Sequence, residues 1–292
     1  MLNIVWFKRD LRIADHAALA MAAAAGPVLP LYIVEPDLWA QPDVSARQWS
    51  FAAECLRELQ QSLMTLGQPL CIMIGDAARI LVDINSKHGI TAIWSHEETG
   101  NGWTYVRDLK IAAWTRDAGI PWHEYRQTGV IRRIKSRNGW AKAWDHDMAQ
   151  PITAAPPRLV PLSGDWPTHI PSAAALGLAD DPCPHRQPGG RTAALATLDS
   201  FLTARGHSYR YQMSSPVTAF DSSSRLSPHI AWGTVSMREI AQATWGRMRA
   251  LKAVNTPAAM AEAQRWRGSM VSFTGRQHWH CTLCKNLRIS RV

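Results

Sequence analysis

The chain has 292 residues, 46% of them hydrophobic, and a formal net charge of +9; that length suits two domains of about 100 to 200 residues each. No run approaches the roughly 18 unbroken apolar residues of a membrane-spanning helix, and the opening MLNIVWFKRD places charge after a short apolar stretch, the reverse of a signal peptide. Secretion and membrane insertion are therefore not expected, a cytoplasmic monomer is, and the excess of Lys and Arg favours a polyanionic partner.

Through residue 130 the pattern alternates. Apolar runs rich in β-branched and aromatic residues at Leu2 to Phe7, Val28 to Val34, Pro69 to Ile74, Thr91 to Ser95 and Pro121 to Tyr125 predict five strands. Helical periodicity fills the gaps at Asp15 to Ala24, Ala46 to Leu66, Asp76 to His88 and Tyr105 to Ala118, with Gly67, Gly89 and Gly119 closing helices. Near-continuous apolar strands separated by helices predict an α/β doubly wound, parallel five-stranded sheet of Rossmann-like type. Residues 131–190 are proline-rich and predict an interdomain connector carrying one short helix near Asn138 to Met148. From 191 to 292 only helical signals remain, at Ala193 to Arg205, Ser236 to Leu251 and Pro257 to Met270, which predicts an all-α second domain.

Fourteen tryptophans serve as packing anchors or as platforms for flavins and bases. Five cysteines without framework spacing predict no disulfides, and Cys281-x-x-Cys284, even with His278 and His280 nearby, lacks the second half of a zinc site, so no metal is expected. The first strand runs into Lys8-Arg9-Asp10-Leu11-Arg12. A dinucleotide-binding turn needs glycines there so that amides can touch a pyrophosphate, and no Walker A sequence occurs; nicotinamide dehydrogenases and P-loop enzymes are excluded. Asp10 between Arg9 and Arg12 predicts an exposed, salt-bridged turn at the sheet's carboxyl edge, with Asp15 capping the next helix.

Residues 6 to 19, WFKRDLRIADHAAL, closely resemble the segment that opens photolyases and cryptochromes, and the likeness continues at Ser45-x-Arg47, Gly75-Asp76 and Arg107-Asp108. A second stretch, Ser222-Ser-Ser-Arg-Leu-Ser-Pro-His-Ile-Ala-Trp-Gly233, resembles that family's flavin-phosphate loop. Its chemistry agrees, because clustered hydroxyls, backbone amides and the Arg225 guanidinium form an anion cradle. The resemblance implies FAD bound through Tyr211, Ser223, Ser224, Arg225, Leu226, Ser227, Ser272 and Arg276, with Tyr209 a competitor for Tyr211. It also implies an antenna pigment, pterin or deazaflavin, on residues 1–130, and an FAD domain at 191–292.

The implied activity is blue-light-driven repair of pyrimidine dimers in DNA by electron transfer from reduced FAD. Ser272 stands where the family carries a carboxylate and Gly275 where a tryptophan stacks on the lesion, with Trp279 a substitute one turn on. Those departures favour the alternative of a cryptochrome-like photoreceptor without repair; a flavin-free binding remnant is the third reading. By resemblance the flavin domain should extend past residue 292, and the last eleven residues fit the family pattern poorly. The expectation is a frameshift or early stop, an incomplete helical domain and weak or absent flavin binding.

Overall fold

The computed structural model describes residues 2–131, 136 and 138–289, with side chains through residue 281. Five parallel strands, β1 (Leu2–Phe7), β2 (Val28–Val34), β3 (Cys71–Ile74), β4 (Ile90–His96) and β5 (Trp122–Tyr125), form one sheet in the order β3-β2-β1-β4-β5. Between them run α1 (Ala17–Ala25), α2 (Pro36–Trp39), α3 (Ala46–Thr65), α4 (Ala77–His88) and α5 (Gly102–Asp117). The expected doubly wound sheet is what forms. In β1, Leu2, Ile4 and Trp6 join one core with Leu81, Ile84 and Ile111, while Val5 and Phe7 join another with Leu19, Phe51 and Leu56. Alternate side chains point to opposite faces of a strand, so both faces are covered and every residue of β1 and β2 is buried.

The chain divides into two compact units, one of residues 1–127, 153–191 and 232–234, the other of 128–152, 192–231 and 235–292. In the first, the proline-rich residues 153–191 pack against α3 and β3. Ile72 donates its amide to the Pro167 carbonyl at 2.6 Å, Leu159 to Leu66 at 2.6 Å, and the Trp49 indole to Pro171 at 3.0 Å.

The second unit is all helical: α6 (Trp140–Ala149), α7 (Arg191–Thr203, from Thr192 onward), α8 (Tyr209–Gln212), α9 (Ala219–Ser222), α10 (Ser227–Ala231), α11 (Met237–Lys252) and α12 (Pro257–Ile289). Helix α11 starts at Ser236 as expected, with a capping box in which Glu239 and Ser236 each accept the other's amide; such a cap stabilises by about 1 kcal/mol. Helix α12 spans 33 residues and passes well beyond the expected end at Met270, because Ser269, Gly275 and the polar residues after them cost a helix too little to stop it once one face is packed. That face puts Met270 and Phe273 into a core with Phe201, Tyr209, Leu226 and Ile240.

Candidate functional site

In an open α/β sheet the ligand crevice lies beyond the carboxyl ends of the strands, where the strand order reverses; here that is the edge between β1 and β4. Lys8 and Arg9 arrive from β1, Glu35 from β2, Glu98 from β4, and Arg107 from α5. Arg107 bonds Glu35 at 2.6 Å, Glu98 at 2.5 Å and Asp108 at 2.8 Å, and its guanidinium lies 4.8 Å from the Trp6 ring centre and 5.9 Å from that of Trp103. Arg9 adds a contact to Glu98 at 3.3 Å and stacks over Trp232 at 4.9 Å. Burial pushes Glu35 up to about 7 against the pull of Arg107. Burial acts on Glu98 in the same sense, but Arg107, Arg9 and Lys8 overcome it and hold that carboxyl at about 2.

The cavity within this ion-pair cluster measures about 20 Å³, against roughly 300 Å³ or more for small-molecule sites. It accommodates water.

The turn after β1 differs from expectation. Asp10 is fully buried, not part of an exposed pair: it accepts from the Lys8 amide at 2.7 Å and from His96 Nδ1 at 2.8 Å, and it lies 3.0 Å from His16 Nε2. Burial works to raise its pKa, and the two histidines hold it well below the carboxylate range; burial pushes His96 down to about 3. The cap of α1 is His16, whose Nδ1 accepts the Leu19 amide at 3.0 Å. Asp15 instead has φ 49° and accepts from the Thr153 amide. Asp10, His16 and His96 have the ligand types of a metal site. A ligating histidine, however, normally donates its other N–H. His16 already accepts at Nδ1, so its proton sits on Nε2, and this cluster is a hydrogen-bonded knot.

The serine loop lies in the helical unit. Ser223 to Leu226 are non-helical, Ser223, Ser224 and Arg225 are half-buried, and Ser227 is exposed at the start of α10. Arg225 adopts φ 57° and stacks on Phe220 at 4.1 Å. Leu226 is 1% exposed and belongs to the core, so only its main chain is available to a ligand. Arg205, legible beforehand only as a surface charge, grips the loop's inner side by donating to the carbonyls of Ser223 and Ser224. Burial and the neighbouring Arg225 push Arg205 below the usual arginine range, and an anion near these two cations relieves that repulsion.

The other expected residues divide. Tyr209 packs edge-on against Phe201 and Phe273, whereas Tyr211 is 66% exposed on α8. Ser272 donates back to the Gly268 carbonyl at 3.1 Å. Arg276 is exposed and lies over Trp279, itself 61% exposed. Among the described residues, a Cβ placed on Gly275 would meet nothing within 4 Å. Cys281 is buried beside the Trp144 indole at 3.4 Å; the side chain of Cys284 lies outside the described residues.

Residues 3–143 match the family model for DNA photolyase. The chain is 30% identical over 271 residues to a deoxyribodipyrimidine photo-lyase of Agrobacterium fabrum, a match covering 84% of this chain and 53% of that one. This chain belongs to the photolyase/cryptochrome family. Among solved structures it resembles a class III photolyase from Agrobacterium tumefaciens, at 25% identity and TM-score 0.73, covering 95% of this chain and 58% of that one. A Synechocystis cryptochrome has the same fold at 20% identity and TM-score 0.78, covering 98% and 61%. The chain thus spans about half to three-fifths of the length of these family members.

Proposed function

We propose that this chain takes part in blue-light photochemistry as a flavin-binding member of the photolyase/cryptochrome family, with residues 223–227 holding the diphosphate of FAD. The observation that carries the reading is the serine loop itself. It is an irregular, solvent-reaching turn rather than a buried helix, it offers three serine hydroxyls, and two arginines adjoin it. That donor set suits a diphosphate, which is satisfied by charge-assisted hydrogen bonds. Arg225 would supply the charge, Ser223, Ser224 and Ser227 the hydroxyl donors, and Tyr211, from α8, an exposed aromatic contact. When bound and reduced, FAD supplies an electron on excitation; the protein's part is orientation and electrostatics.

Repair of pyrimidine dimers in DNA is what the photolyase relatives imply. Ser272 and Gly275 favour the second reading, a photoreceptor without repair. A flipped base needs an aromatic platform contributing about 1 to 3 kcal/mol, and among the described residues nothing lies within 4 Å of a Cβ placed at Gly275. The purified full chain should quench FAD fluorescence on titration, with weak affinity, and leave a dimer-containing oligonucleotide unrepaired under blue light. Absence of FAD binding sinks the family activity for this chain, and dimer reversal sinks the photoreceptor reading.

A further inference from the structure

We infer that Arg205 is the positioning residue of the serine loop, setting which way its peptide groups face and so aiming main-chain N–H groups at an anion. This deepens the proposed function and rests on that loop being the diphosphate site. The geometry is unusually complete. Arg205 Nε donates to Ser200 Oγ at 3.1 Å, one terminal nitrogen donates to Ser223 O, and the other donates to Thr197 O at 3.0 Å and Ser224 O at 3.3 Å. Three of these four acceptors are main-chain carbonyls, and none is a carboxylate. A guanidinium has five donors in a rigid fork; four are spent here, two of them on consecutive peptide groups of the loop.

The consequence follows from the planarity of the peptide bond. In a trans peptide the C=O and the following N–H point in opposite directions, and the described chain contains no cis peptide. Drawing the carbonyls of Ser223 and Ser224 inward to α7 therefore turns the amides of Ser224 and Arg225 outward, away from Arg205. Arg225 then takes φ 57°, a left-handed conformation that is unfavourable for a non-glycine residue and persists only where the surroundings fix it. Arg205 on one side and the buried Leu226 on the other supply that constraint. The excursion containing this loop is pinned a second time by Ser269 on α12, which accepts from the Arg210 amide at 3.2 Å and donates to the His207 carbonyl at 2.8 Å. Arg205 thus acts through the backbone and need not touch a ligand.

The test uses the full chain with Arg205→Met, which keeps the stem and loses the donors, and Arg205→Lys, which keeps the charge and loses the fork. Without ligand, trypsin should cut the Arg225–Leu226 bond at least tenfold faster in Arg205→Met, with cutting within α11 and α12 unchanged. With ligand, FAD affinity should fall at least tenfold in Arg205→Met and by an intermediate factor in Arg205→Lys, while riboflavin, which lacks the diphosphate, binds each variant as it binds the parent. Unchanged cutting at Arg225 overturns the inference, as does faster cutting throughout the helical unit, which marks a general packing role. Arg205→Lys equal to the parent also overturns it, because charge alone then suffices. Should the parent chain bind no FAD, the diphosphate reading fails, and the proteolysis alone decides the positioning role.

Discussion

The two arginine-centred regions of this protein use the same side chain in opposite ways. At the sheet's carboxyl edge Arg107 is surrounded by three carboxylates, so its charge is neutralised within the fold and little beyond water enters. At the serine loop Arg205 donates to carbonyls and a hydroxyl, so its charge is not cancelled by these partners. An arginine among carboxylates is a lock; an arginine among carbonyls orients a backbone and leaves a positive field for something else.

The largest expected effect breaks the lock. Arg107→Met removes the partner that Glu35, Glu98 and Asp108 share in the interior, and removing one partner of a buried pair costs about 3 to 5 kcal/mol. The denaturant midpoint should fall accordingly, and an unchanged midpoint means the edge is not held by charge.

Next comes pH. Glu35 has a folded pKa of about 7, above the unfolded value of about 4.3; its contribution is full at low pH and is lost as pH rises through that window. His96, at about 3 when folded and about 6.5 unfolded, is buried neutral, so its contribution is present above pH ~6.5 and is lost as pH falls towards 3. Between about pH 4.5 and 6.5 the two slopes have opposite sign and nearly cancel. Glu35→Gln removes one of them, and the variant should gain about 1.4 kcal/mol of stability per pH unit relative to the parent across that window. Parallel stability curves for parent and variant show Glu35 ionised throughout.

In the middle lies Gly233, at φ 62°, where an added Cβ would sit 2.2 Å from the Arg9 carbonyl oxygen and 2.6 Å from Asp10 Cα. Gly233→Ala should lower stability by roughly 2 kcal/mol or more through backbone displacement, read as a drop in denaturation midpoint. The smallest effect is in the opposite direction: Gly275→Ala, mid-helix in open space, should raise stability by about 1 kcal/mol, seen as a higher melting temperature.

Much of the fold was legible because it is written in short-range patterns. All five strands follow from apolar runs, and Ser236 followed by Glu239 spells a helix start. What escaped was long-range. His16 as a cap and Asp10 as a buried acceptor depend on His96, some eighty positions away. The small helices α2, α8, α9 and α10 carry too few residues for periodicity to register. At the loop, the sequence pointed to hydroxyls and to Arg225, which lie together in the chain. Arg205 reaches the loop from a separate turn after α7, and no spacing rule connects it to Ser223.

The proline-rich residues along β3 have a consequence for how the protein behaves in a crowd. An outer strand presents amide donors that another chain can pair with. Here the Ile72 amide is taken by the carbonyl of Pro167, and a proline has no N–H to offer in turn. At that point the hydrogen-bond ladder terminates, and stacking of one molecule's sheet onto the next along this border is denied a donor from which to continue.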